Sequence, residues 1–135
     1  MILVSQAEID ASSVMRAVES PMAGAIATFD GRVRNHSRGK PVKHLYYEAY
    51  TEMAITELSA IRNSALGKWP LEKVAIVHRL GRLEIGETSV FIAVSSAHRS
   101  DAFAACRYII DALKESAPIW KKEYFTDGEE WVESN

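Results

Sequence analysis

Residues 88–96 read TSVFIAVSS, and no other segment constrains the fold as much. The run is apolar on both alternating faces. A strand with one wet face alternates apolar and polar residues, whereas a strand covered on both faces does not. The run therefore predicts a central buried strand, with other elements packed around it. It is also far too short to span a bilayer.

The neighbouring elements follow from periodicity and punctuation. Residues 1–4 read as a short strand. Residues 9–19 read as a short helix with Val14 and Val18 at helical spacing, ended by Ser20-Pro21. Residues 24–34, GAIATFDGRVR, have strand composition, and 35–41, NHSRGKP, are turn formers that predict a mobile loop. Residues 42–50 predict a strand with Leu45, Tyr47 and Ala49 on one face and Tyr46, Glu48 and Tyr50 on the other. Thr51 is placed to cap a helix whose apolar stripe runs through Met53, Ile55, Leu58, Ile61 and Leu66. Residues 72–80 predict a further strand, and GRLEIGE a turn leading into 88–96. A helix opening at Ser100 or Asp101 carries Phe103, Cys106, Ile110 and Leu113 and stops at Pro118. Asp127-Gly128 signals a hairpin between two short terminal strands. This order predicts an α+β fold, a mixed or antiparallel sheet with helices packed against it, as a single domain over 1–135.

Charge narrows the partners. The formal net charge of the 135 residues is −2, so nothing global points to nucleic acid or membrane. Between Asp30 and Glu48 no acidic residue occurs, yet Arg32, Arg34, Arg38, Lys40 and Lys43 fall there with His36 and His44. The tail reverses this with Glu123, Asp127, Glu129, Glu130 and Glu133. A local cationic segment on a mildly acidic chain suits a small anionic ligand or an acidic partner. It lacks the interleaved aromatic platform of RNA-binding proteins. Cys106 has no second cysteine to pair with, and no signal peptide is visible, so the expected location is the cytoplasm. No HExxH, CxxC or glycine-rich phosphate loop is present, so neither a metal nor a cofactor is expected.

Three loci can carry chemistry. Ala97-His98-Arg99-Ser100 joins the buried strand to a helix, whose N-terminus attracts anions; equally, the two side chains can pair with local acids. Arg32 and Arg34 alternate with Val33 at a strand end, facing either a ligand or solvent. Lys114 lies on the polar side of its helix, near Arg107 and Asp111, and Lys121 follows the Pro118-Ile119-Trp120 knot. A lysine held against apolar surface beside other cations has a lowered pKa and serves as acid, base or nucleophile; a surface lysine merely snorkels. Cys106 shares a stripe with Phe103, Ile110 and Leu113 and reads as a core residue.

Taken together, GRVRNHSRGK, HRLGRLEIGE, SSAHRSDAF and LKESAPIWKKE, in this order and spacing, resemble the catalytic (large) subunit family of molybdopterin synthase. The resemblance runs from about Gly24 to Trp131. It implies an α/β hammerhead fold with an additional small β region. It implies a sulfurtransferase that builds the dithiolene of molybdopterin from cyclic pyranopterin monophosphate in molybdenum cofactor biosynthesis. The sulfur donor is the C-terminal thiocarboxylate of a ubiquitin-like small subunit, and two large subunits form the central homodimer of a heterotetramer. Carried over by position, the substrate pocket falls on Arg32, Val33, Arg34, His98, Arg99, Lys114, Lys121, Lys122 and Glu123, with Lys114 and Lys121 catalytic. His98 and Arg99 serve either their own pocket or the neighbouring subunit's. A non-catalytic pterin- or nucleotide-phosphate-binding module, and a scaffold that only docks the ubiquitin-like protein, are the alternatives. The first needs the arginines and His98 without positioned lysines; the second needs no small-molecule site.

Overall fold

The structure is a computed structural model and describes residues 1–132. In chain order the elements are β1 (Ile2–Ser5), α1 (Ala11–Ala17), β2 (Ala25–Arg32), β3 (His36–Ser37), β4 (Lys40–Ala49), α2 (Thr51–Lys68), β5 (Leu71–Arg79), β6 (Gly81–Glu84), β7 (Thr88–Ser96), α3 (Arg99–Ser116), β8 (Ile119–Phe125) and β9 (Gly128–Val132). They build two sheets. One is four-stranded and mixed, in the order β1-β5-β7-β2, with β1 parallel to β5 and the other pairs antiparallel. The other is five-stranded and antiparallel, in the order β3-β4-β8-β9, with β6 joined to β4. The α+β architecture is the one expected.

β7 is the central strand that its composition demands. Val90, Ile92 and Val94 face the larger core, shared with Leu58 and Ile61 of α2 and Ile109 and Leu113 of α3. Phe91 and Ala93 face a smaller core closed by Val14 and Val18. β5 divides in the same way, with Val74 and Ile76 on one side and Ala75 and Val77 on the other. The mixed sheet is thus covered on both faces, which explains the unbroken apolar runs.

Several local expectations are corrected. Residues 35–41 form a tight hairpin rather than a mobile loop. Ser37 pairs with Lys40 across a two-residue turn in which Arg38 and Gly39 both have positive φ, 50° and 77°. That is the type I′ geometry whose twist matches antiparallel strands. GRLEIGE is more than a turn, because its first four residues are β6, where Leu83 is fully buried opposite Leu45. The buried stripe of α2 is Ala54, Leu58, Ile61 and Ala65, leaving Met53, Ile55 and Leu66 exposed. Small alanines let the helix lie close to the sheet, so the larger residues flank the contact. Tyr50 rather than Thr51 occupies the N-cap of α2. In α3 the buried positions are Ala102, Ala105, Cys106, Ile109 and Leu113, and Phe103 is exposed. Asp10 caps α1 by accepting from the backbone N–H groups of Ser12 and Ser13.

Candidate active site

A cleft of about 360 Å³ opens where the two sheets meet. The mixed sheet contributes the end of β2, from Phe29 to Arg32, and the start of β7 at Ser89 and Val90. The antiparallel sheet contributes Tyr47 from β4 and Lys121 and Glu123 from β8. Lys114 enters from the last turn of α3, and Arg34 and His36 come from the segment into the hairpin.

Strand alternation decides which residues of IWKKEYF reach the cleft. Ile119, Lys121, Glu123 and Phe125 are buried, while Trp120, Lys122 and Tyr124 occupy the other, half-buried face. Lys121 is cross-strand partner to Tyr47, so the two share the inner face. Only 8% of Lys121 is exposed. Trp120 packs edge-on against Tyr50, with 5.0 Å between ring centroids. Lys122 points the same outward way. Its Nζ lies 2.7 Å from Glu129 Oε1 and 5.6 Å from the Tyr124 ring centroid.

The electrostatics of the cleft are strongly cationic. Burial, reinforced by the neighbouring Lys121, pulls the Lys114 pKa down. Burial likewise lowers Lys121; Glu123 opposes this, and Arg34 and Arg38 add to it. Lys114 therefore faces the cleft with Lys121 rather than joining the exposed Arg107–Asp111 pair, which closes on itself at 3.5 Å. Glu123, 3% exposed, accepts from Ser37 Oγ at 3.1 Å and from Arg38 Nη2 at 3.2 Å. It ties the hairpin to β8 and sets one negative charge beside Lys121. Tyr47 is buried, which raises its pKa, while a hydrogen bond with Ser89 works the other way. Burial pushes the Asp30 carboxyl up, yet bonds from Arg32 and Thr88 outweigh it and hold it below its usual value. Arg32 is bound to Asp30 at 2.8 Å.

The structure thus gathers Arg32, Arg34, Lys114, Lys121 and Glu123 around one cleft. Val33 is buried in the core behind it. His98 and Arg99 stand apart. They are exposed at the N-terminal end of the 18-residue α3, and Lys114 is near its C-terminal end. At about 1.5 Å per residue, the 16 positions from His98 to Lys114 span about 24 Å. Tyr47, Ser89, Asp30 and His36 line the cleft as well. For Tyr47 the signal was present in its inward strand register with Leu45, and for His36 in the cationic segment; for Ser89 and Asp30 no sequence pattern marks them. Cys106 is a core residue, and burial pushes its thiol up to about 11. Among the described residues, no group of three or more His, Cys, Asp or Glu side chains could hold a metal, and no helix is long and apolar enough to cross a membrane.

The fold and the cleft together define an α+β protein with a cationic small-ligand site where two sheets meet. Residues 4–116 match the family described as MoaE protein. The chain belongs to that family, whose curated members are named molybdopterin synthase catalytic subunits. The relative from Arabidopsis thaliana is 49% identical over 134 residues, covering 99% of this chain and 68% of its own length. That from Pyrococcus abyssi is 45% identical over 118 residues, covering 87% and 80%. A solved structure of molybdopterin synthase from Staphylococcus aureus superposes with a TM-score of 0.92 at 39% identity, covering 96% of this chain and 94% of that one. A protein–protein complex of subunits 1 and 2 of the molybdopterin-converting factor from Helicobacter pylori contains the same fold, with a TM-score of 0.79 at 21% identity.

Proposed function

We propose that this chain is a molybdopterin synthase catalytic subunit that transfers sulfur from the C-terminal thiocarboxylate of a ubiquitin-like small subunit to cyclic pyranopterin monophosphate, forming the dithiolene. The observation that carries the reading is the pairing of two partly desolvated lysines, Lys114 and Lys121, in one cleft with Arg34 at its rim. A pure phosphate-binding module needs the arginine but no lysine with a lowered pKa.

The chemistry uses these groups in turn. Arg34, with Arg32, offers the planar donors that suit the substrate's phosphate. The donor sulfur attacks an oxygen-bearing carbon of the pyranopterin; as the C–S bond forms the C–O bond breaks, and the departing oxygen carries negative charge until it takes a proton. The Lys114 and Lys121 ammonium groups stabilise that charge, and burial, which lowers the pKa of both, makes each a readier proton donor to the departing oxygen. The tail's acyl group, left on the transferred sulfur, is polarised by the same ammonium groups and released by water as a carboxylate. A volume of about 360 Å³ is at the lower end of small-ligand sites and suits one fused-ring substrate.

Two large subunits form a homodimer in this reading, each carrying a small subunit, in the cytoplasm. Support comes from the edge strand β2. Ile26 is exposed on it and Met22 just before it, and Phe103 is 66% exposed in the N-terminal half of α3. Ala25 pairs with Ser96, which places this apolar margin beside His98 and Arg99. The roughly 24 Å between these two residues and Lys114 favours their serving a partner's cleft.

The test is a reconstituted reaction containing the purified chain, a thiocarboxylated ubiquitin-like small subunit and cyclic pyranopterin monophosphate, with dithiolene read as its oxidised fluorescent derivative. Product should require all three components. Lys121→Ala should fold normally and lose about 100-fold or more in turnover. Near-wild-type turnover by a soluble Lys121→Ala protein would remove that lysine from the mechanism.

A further inference from the structure

Behind the cleft lies a second, much smaller cavity, with room for about one water molecule. It shares Tyr47, Lys114 and Lys121 with the cleft, and its rear wall includes His78 of β5. The proposed chemistry makes no use of His78. The ring is 2% exposed and stands edge-on to Tyr47, with 5.0 Å between centroids.

Its protonation follows from one bond. Nδ1 lies 2.9 Å from the carbonyl oxygen of Arg79. A carbonyl can only accept, so Nδ1 carries the proton. Burial is the main reason the ring stays neutral, with its pKa pushed down to about 4; the bond to Arg79 opposes this and the nearby Lys114 ammonium adds to it. A neutral ring protonated at Nδ1 presents a lone pair at Nε2. The Lys114 ammonium beside it has three donors and no acceptor.

We propose that His78 is a positioning residue for Lys114. Its Nε2 accepts a hydrogen bond from the Lys114 ammonium, directly or through a single water in the small cavity, and so sets where Lys114 points in the cleft. A long lysine stem loses much rotamer freedom when one geometry is imposed, so an acceptor at its root has a use. A neutral imidazole also does what a carboxylate could not. It orients the ammonium without adding a negative charge that would raise the lysine's pKa and repel a phosphate. The groups facing the ring are Tyr47 from β4, Lys114 from α3 and Lys121 from β8. Glu123 is tied instead to Ser37 and Arg38.

The contact itself is independent of the sulfur-transfer reading; only its catalytic consequence rests on it. The first experiment uses ¹⁵N NMR of the histidine rings in the ligand-free protein. At pH 7, His78 should show a protonated Nδ1 and a bare Nε2, and Lys114→Met should shift the Nε2 resonance. A proton on Nε2, or an Nε2 resonance unmoved by Lys114→Met, overturns the proposal. The second experiment uses the reconstituted reaction. His78→Phe fills the volume without an acceptor and should lower kcat about tenfold with little change in KM, whereas His78→Gln, which places an oxygen near Nε2, should recover most of it. Equal impairment of the two variants means the ring is only a packing group and overturns the role, as does full activity in both. Should His78→Phe fail to fold, the NMR comparison still decides. If the wild-type chain makes no product while Nε2 responds to Lys114→Met, the positioning contact stands and the sulfur-transfer reading fails.

Discussion

Lys114 illustrates how a site residue works against the fold that holds it. Burial and Lys121 depress its pKa below the ordinary 10.5. Between that depressed value and 10.5 the unfolded chain binds more protons than the folded one, so this lysine makes stability rise with pH across the window. At pH 7 the charge is therefore held at a cost. Lys114→Met keeps the stem and removes the ammonium. It should stabilise the chain at pH 7 by roughly 1 kcal/mol, the scale of an ordinary single substitution, and the advantage should shrink as pH approaches 10.5. Urea unfolding midpoints at pH 7 and pH 10 measure both. A Lys114→Met protein less stable than wild type at pH 7 would show that the ammonium's contacts outweigh its desolvation. The need for such a residue was legible at Lys121, where an apolar knot runs straight into cations. It was not legible at His78, because a histidine followed by arginine has no pattern that distinguishes a buried neutral ring from a surface one. Only the packing of β4, α3 and β8 around it does so.

At the scale of elements, composition identified long strands well and short ones poorly. β7 was evident because two covered faces leave a nine-residue run without alternation. β6 was hidden because four residues between two glycines read as punctuation, and only its pairing with β4 makes it a strand. The hairpin of β3 and β4 was hidden for a related reason. NHSRGKP contains turn formers throughout, and the register that makes Ser37 a buried partner of Glu123 is set 86 residues away. This hairpin carries Arg34 and His36 to the cleft, so its turn matters to the site. Gly39 has φ of 77°, and a side chain there would meet open space, so substitution is penalised by backbone strain alone. Gly39→Val should cost about 1–2 kcal/mol and lower the thermal midpoint by several degrees. It should also raise the substrate's KM more than it lowers kcat. An unchanged midpoint, measured by circular dichroism, would show that the turn can be rebuilt without the left-handed geometry.

For the whole molecule, the geometry separates two cationic loci that the resemblance assigns alike to substrate binding. The mixed sheet, covered on both faces, holds the cleft at one end of α3, while His98 and Arg99 occupy the other end. That separation was legible once a single helix was read between residue 100 and Pro118, because His98 and Arg99 precede it and Lys114 lies near its end. In one chain the two loci cannot act on one small substrate. In a two-fold dimer that packs the β2 margin and the start of α3 against a partner, each subunit could lend His98 and Arg99 to the other's cleft. Mixing variants decides the matter. Lys121→Ala and Arg99→Ala should each be nearly inactive alone. Unfolded and refolded together at equal amounts, half of the dimers are mixed. If His98 and Arg99 act across the interface, each mixed dimer has one cleft with both its own Lys121 and a partner's Arg99, and the pool recovers about a quarter of wild-type turnover. If they act within one chain, neither cleft of a mixed dimer is whole and nothing is recovered. Recovery of about a quarter would therefore establish both that the dimer exists and that it completes the site, from one assay and without a structure of the assembly.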